Sequence, residues 1–284
     1  MTLFILLLVL AWERLFKLGD HWQLDHRLEP IFTNIKSFSL WKSLLMTLAV
    51  MLLTWLFIVI LDDFMFGILE LILWVFICLL CIGAGRLRLD YREYFRAVHQ
   101  DDREQRREYL ARLVVIHGLP SDASKENKLR EMQNALLWIN FRYYLAPIFW
   151  LIVAGKLGPV ALMGYCFLRA YQGWLAQYGT PIQRAQSGVD SLLHWLDWIP
   201  ARLAGVAYAL LGHGERALPA WVASLSDLRT TQYKVVCQLA QFSLSREPHL
   251  DSIQTPVAAV ILAKKVTFSI IVVVALLTIY GALV

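Results

Sequence analysis

Residues 134–150 read NALLWINFRYYLAPIFW and set Asn134, Asn140 and Arg142 in an apolar stretch. Lipid does not tolerate bare amide or guanidinium groups, so an ionisable residue at membrane depth is a functional candidate by default. Arg142, flanked by Tyr143 and Tyr144, has two open readings. It snorkels toward an interface beside an aromatic belt, or it points inward as a cation for an anionic ligand. Arg169, near the end of a second apolar stretch, poses the same choice. Asn134 and Asn140 either hydrogen-bond between helices or line a site.

A second concentration of chemistry lies in GDHWQLDHRLEP, residues 19–30, with Asp20, His21, Asp25, His26, Arg27 and Glu29 close in sequence. Such a set builds a hydrogen-bonded or metal site, or it is a solvated loop at an interface; no metal is expected. The chain has no phosphate-binding glycine loop, no GxSxG, no HExxH and no paired CxxC at zinc spacing. No catalytic residue is therefore assigned. Cys78 and Cys81 form a CxxC inside the apolar run LILWVFICLLCIGAG. Redox use needs an exposed thiol at a helix start, so packing is the simpler reading.

The elements that must position these groups follow from composition. Of 284 residues 58% are hydrophobic and 17% charged; an ordinary globular chain has about 45–50% and about 25%. This is the profile of a polytopic all-α membrane protein, with the eleven Trp suited to interfacial belts. The net charge of +5 fits basic residues retained on the cytoplasmic side, and nothing marks a nucleic-acid module. Apolar length predicts membrane helices over 44–61, 64–85, 134–155, 158–175 and 266–284, with a short N-terminal helix over 1–18, all in one integral membrane domain. Residues 86–133 and 176–265 are charged or amphipathic helical segments. Their Lys and Arg place them in the cytoplasm and the C-terminus outside, so any site opens to the cytoplasm.

The phrases LAWERLFKLGDHWQLDHRLEP, LLWINFRYYLAPIFWLIV, DWIPARLAGVAYALLGHGE and ALLTIYG resemble the AmpE family over nearly the whole chain. That resemblance implies a bacterial inner-membrane protein, encoded beside the AmpD amidase, that regulates β-lactamase induction. APIFW (146–150) with the Gly-rich turn after it, IPARL (199–203), and Gly19-Asp20 with His26 are similar to the CbiB/CobD adenosylcobinamide-phosphate synthases. Those attach an aminopropanol unit to a corrinoid carboxylate with ATP and Mg. Where that family implies Glu, Glu, Asn and Asp, this chain has Asn134, Trp138, Ile139 and Arg142; where it implies Thr-Leu-Asp, Phe167, Leu168 and Arg169 stand. Mg²⁺ requires oxygen ligands, so the charge reversal suits an anion better than a metal–nucleotide pair.

The expected function is a regulatory or sensory membrane protein of cell-wall recycling. It would bind an anionic metabolite or nucleotide in a CbiB/CobD-like, cytoplasm-facing pocket, without catalysis and with no required cofactor. The candidate ligand-binding residues are Glu13, Arg14, Asp20, His26, Asn134, Asn140, Arg142, Arg169, Asp197 and Arg202. The alternative is an ATP- and Mg-dependent amide-forming synthase using Glu13, Asp20, His26 or Asp197. A transporter is a third reading, against which no inverted repeat is evident.

Overall fold

Backbone polar groups in hydrocarbon must be satisfied within their own segment, which leaves an apolar chain of this length only the helix. A computed structural model describes residues 2–16, 22–35, 38–61, 67–115, 128–212, 214–244 and 253–281, and every regular element among them is helical. In chain order these are α1 (Thr2–Phe16), α2 (Leu24–Thr33), α3 (Leu40–Leu61), α4 (Ile68–Cys81), α5 (Gly85–His99), α6 (Arg103–Val115) and α7 (Lys128–Asn140). A π turn, Phe141–Leu145, leads into α8 (Ala146–Val153), followed by α9 (Gly158–Tyr178), α10 (Pro181–Ser187) and α11 (Val189–Leu196). Then come α12 (Trp198–Leu211), α13 (Gly214–Leu225), α14 (Gln232–Ser243) and α15 (Gln254–Ile279). They form two units: residues 1–85, 146–193 and 274–284 make one, and residues 86–145 and 194–273 the other.

Among the described residues four helical stretches are long and apolar enough to cross a membrane: Leu40–Leu61, Ile68–His99 (α4 and α5 with the break between them), Leu129–Val153 and Gln254–Ile279. At 1.5 Å per residue, α3 alone is about 33 Å long, enough for a hydrocarbon core of about 30 Å. Only 17% of the apolar stretch of α3 is buried inside the protein, against 67% for Leu129–Val153. Leu45, Leu52, Phe57 and Ile60 of α3 are exposed, the kind of apolar face that a bilayer core covers.

In the first unit the sequence of α3 separates two faces. Ser43, Thr47, Thr54 and Ile58 are buried on one side. Ser43 Oγ donates to the Ser187 carbonyl at 2.8 Å, while Thr47 and Thr54 donate back to the carbonyls of Ser43 and Val50. Met51 of this face fills the space beside Gly164 of α9, where a Cβ would come within 2.7 Å of the Met51 sulfur. Small residues thus let the helices approach closely. Phe32 of α2 is fully buried and packs on Phe167, Tyr171 and Trp174 of α9 at centroid distances of 5.5, 5.2 and 6.0 Å.

In the second unit α12 packs with α13 and α14, and α7 with α6 and α14. Pro200 falls in the first turn of α12, where its missing N–H is tolerated.

Several boundaries differ from the sequence reading. The helix expected over 64–85 ends at Cys81, because Gly83 adopts φ +132°, a conformation that in practice only glycine enters. The C-terminal helix begins at Gln254 rather than 266 and runs through Lys264 and Lys265. The turn at 62–65, apart from its flanks, and the GLPSDAS loop lie outside the described residues, as do residues 17, 18 and 282–284.

Gly164→Leu should force apart α3 and α9 and lower stability by ~1–3 kcal/mol, the usual effect of overpacking. Leu52→Ile, on the exposed face, should leave the melting temperature of detergent-purified protein unchanged. Equal melting temperatures for both variants would contradict this packing.

Candidate functional site

The break after α4 gathers three charged groups of the first unit, Glu13, Asp25 and Arg169. Where the helix stops, the Cys81 carbonyl loses its intrahelical partner, and Arg169 of α9 supplies one. Its two terminal nitrogens lie 3.3 and 3.4 Å from the Cys81 oxygen, and the Cys166 thiol approaches the same oxygen at 3.7 Å. Arg169 Nη2 also pairs with Asp25 of α2 at 3.1 Å. The guanidinium is 4% exposed, whereas the Asp25 side chain is 23% exposed. Gln23, the N-cap residue of α2, makes no capping bond with its own helix and instead donates to the Gly83 carbonyl at 2.7 Å. Glu13 of α1 is buried, its Oε1 3.5 Å from the position a Cβ would take at Gly83. Glu13, Gln23 and, through the Cys81 carbonyl, the Arg169–Asp25 pair therefore border an unwound Ile82–Ala84 segment. Unwound backbone at membrane depth is tolerated where protein or a cavity satisfies it, and such interrupted helices mark ligand sites in transporters.

The second unit holds a separate set. Arg142 lies in the π turn, a geometry enriched at functional positions. Its Nη1 donates to Asp197 Oδ2 at 2.7 Å, both side chains are at most 5% exposed, and the guanidinium lies 5.5 Å from the Trp138 ring. Asp197 stands at the N-cap of α12 but makes no side-chain cap bond there. Arg202, one α12 turn further on, donates to Gln232 and to the carbonyls of Trp198, Ser224 and Asp227. It also stacks 4.7 Å from the Trp198 ring. Burial lowers its pKa, with Asp227 opposing, yet an arginine keeps its charge. Asn134 accepts from Gln241 at 2.9 Å, and Asn140 bonds to Ala263 and Thr267 of α15.

Both sequence-flagged arginines are buried, so neither snorkels. They belong to different units, each with its own carboxylate. The asparagines hydrogen-bond between helices, the simpler of their two readings. Arg14 is exposed, His26 sits 3.6 Å from Glu29, and Asp20 lies outside the described residues. Sequence reasoning overlooked Gln23, Gly83 and the partnership of Asp25. The run of small residues in CIGAG, closing an apolar helix, was the available signal.

Asp197→Ala should strand the Arg142 charge and destabilise the protein by ~3–5 kcal/mol, whereas Arg142→Met with Asp197→Leu should recover most of the loss. Thermal unfolding of both variants in detergent checks this, and a double variant no better than the single one would contradict it. Asp227 offers a pH test. The Thr230 hydroxyl and the backbone N–H groups of Thr230 and Arg229 lower its pKa to about 2. Its contribution is therefore present above the ordinary carboxylate pKa and is lost as pH falls through about 2. The difference in melting temperature between wild type and Asp227→Asn should be constant at neutral pH and vanish at the acid end.

Comparison with known proteins places these features. Residues 1–284 match the family model described as "Regulatory signalling modulator protein AmpE". The chain is 59% identical over 284 residues, the whole of both chains, to Protein AmpE of Shigella flexneri. Over 107 residues, 38% of this chain and 34% of the relative, it is 32% identical to the cobalamin biosynthesis protein CobD of Stutzerimonas stutzeri (strain A1501). No solved structure matches. With an unbroken match from end to end and membrane-length apolar helices, this chain belongs to the AmpE family of regulatory signalling modulator proteins and is a membrane protein.

Proposed function

We propose that the protein is a non-catalytic regulator of the bacterial inner membrane, linked functionally to the AmpD amidase. It senses an anionic metabolite of cell-wall recycling, a muropeptide or nucleotide-linked sugar, and modulates β-lactamase induction. The observation that carries this reading is Arg169, a buried guanidinium at a broken helix whose carboxylate partner Asp25 is partly open to solvent. A charge is retained at such depth at considerable free-energy cost, and intramembrane charges are usually functional. Arg presents a planar fork to carboxylate or phosphate and stays charged at every working pH. Glu13 and His26 flank this site as candidates. Arg142, Asp197, Arg202, Asn134 and Asn140 belong to the other unit, where their present bonds make them supports rather than ligand contacts.

The partial likeness to a CobD protein favours one other reading, a membrane-bound ATP-dependent amide-forming synthase. Consumption of ATP with candidate amine and carboxylate acceptors would reveal it.

Arg169→Lys and Arg169→Gln should each abolish the effect on β-lactamase induction at normal abundance, because neither reproduces the bridge from carbonyl to carboxylate. Normal induction in both variants, normalised to protein level, would sink the anion reading. Orientation has its own test. The Lys- and Arg-rich segments 86–133 and 176–265 favour a periplasmic C-terminus, so a C-terminal alkaline phosphatase fusion should be active. A fluorescent C-terminal green fluorescent protein fusion would reverse the topology.

A further inference from the structure

We infer that α2 is a strap over the break in α4, latched by Asp25 to Arg169 and opened when an external carboxylate or phosphate takes the place of Asp25. The inference rests on the anion reading of Arg169 and adds the element that moves. Each end of α2 buries one apolar residue, Leu24 and Phe32, and the N-terminal end carries polar links besides. At its C-terminal end Phe32 is fully buried against Phe167, Tyr171 and Trp174, contacts that no ion displaces. At its N-terminal end Leu24 is buried as well, but the links to the α4 break are polar: Gln23 to the Gly83 carbonyl at 2.7 Å and Asp25 to Arg169 at 3.1 Å.

The latch is exchangeable by its chemistry. Arg169 is 4% exposed and cannot leave its site without carrying a charge into apolar surroundings, while Asp25 is 23% exposed and can pass into water. An anion entering beside Arg169 replaces one carboxylate–guanidinium bond by another. The exchange leaves the Cys81 carbonyl still satisfied by the same guanidinium. What changes is α2, which loses its charge-assisted link at Asp25 and pivots on Phe32. A ligand that binds the unlatched state better than the latched one shifts the population by its differential affinity.

Hydrogen–deuterium exchange of the full-length protein tests this in nanodiscs of phosphatidylcholine. Asp25→Asn should raise exchange of the amides in the first half of α2 by about tenfold, equivalent to ~1.4 kcal/mol, while amides around Phe32 stay protected. Asp25→Glu, which restores the carboxylate, should return exchange toward wild type. Inorganic phosphate added to wild type should reproduce the Asp25→Asn pattern, and Arg169→Lys should remove the phosphate effect. Nanodiscs containing phosphatidylglycerol without phosphate test the lipid headgroup as the source of the same chemistry; elevated exchange there identifies the headgroup as an unlatching anion. Unchanged exchange in Asp25→Asn, or loosening of the whole of α2 including Phe32, overturns the strap. A latch that opens in Asp25→Asn but ignores both phosphate and phosphatidylglycerol keeps the strap and removes the anion reading on which its ligand depends.

Discussion

The Arg169 guanidinium bonded to the cut end of α4 is the contact around which the first unit is organised. A helix that stops inside an apolar unit leaves carbonyls without partners, and each such group carries a penalty of several kcal/mol in hydrocarbon. Arg169 satisfies the Cys81 carbonyl, Gln23 satisfies that of Gly83, and Glu13 lies alongside. The arginine itself needs a counter-charge, which fixes α2 through Asp25. One glycine conformation at Gly83 thus entails a guanidinium from α9, a carboxylate from α2 and an amide from the cap of α2. The aromatic packing of Phe32 then sets where α2 can lie.

The second unit solves a similar problem with a different geometry. Arg142 emerges from a π turn and meets Asp197 with both side chains out of water. A buried ion pair of this kind adds little net stability over an apolar pair of the same shape, and its loss on one side is severe. Its value is in specifying which face of α12 meets the π turn. The Asn134–Gln241 and Asn140–Thr267 bonds do the same for α14 and α15. Arg202 is held by four acceptors and an aromatic face, so its charge is consumed locally. Asp25–Arg169 is the contact among these in which one partner keeps a path to solvent, and this distinguishes a switchable pair from a fixed one.

The likeness to a CobD protein acquires physical content from these arrangements. At positions where the synthase resemblance implies acids, this chain carries Arg142 and Arg169, and each guanidinium has recruited a carboxylate from elsewhere in the chain, Asp197 and Asp25. A set of acids arranged around a hydrated cation would be oriented by that cation. Here the charge pairs are internal and orient one another.

Much of the architecture was legible in the sequence because it depends on local order. Helical class and the positions of the apolar helices follow from runs such as LLMTLAVMLLTWLFIVIL, whose hydropathy leaves the backbone one way to satisfy itself. The inner stripe of Ser43, Thr47 and Thr54 repeats at helical spacing and could be read as a packing face. The partner of each polar group could not. Arg169 and Asp25 are 144 positions apart, and Arg142 and Asp197 are 55 apart. No periodicity links residues at such distances, so the sequence favoured snorkelling for both arginines and left inward pointing as the alternative. Tertiary structure decided it, because a buried charge takes whichever opposite charge the packing of apolar faces brings within hydrogen-bond reach. The sequence determined that these groups would need partners; the folding of α2 onto α9 and of α12 onto the π turn determined which.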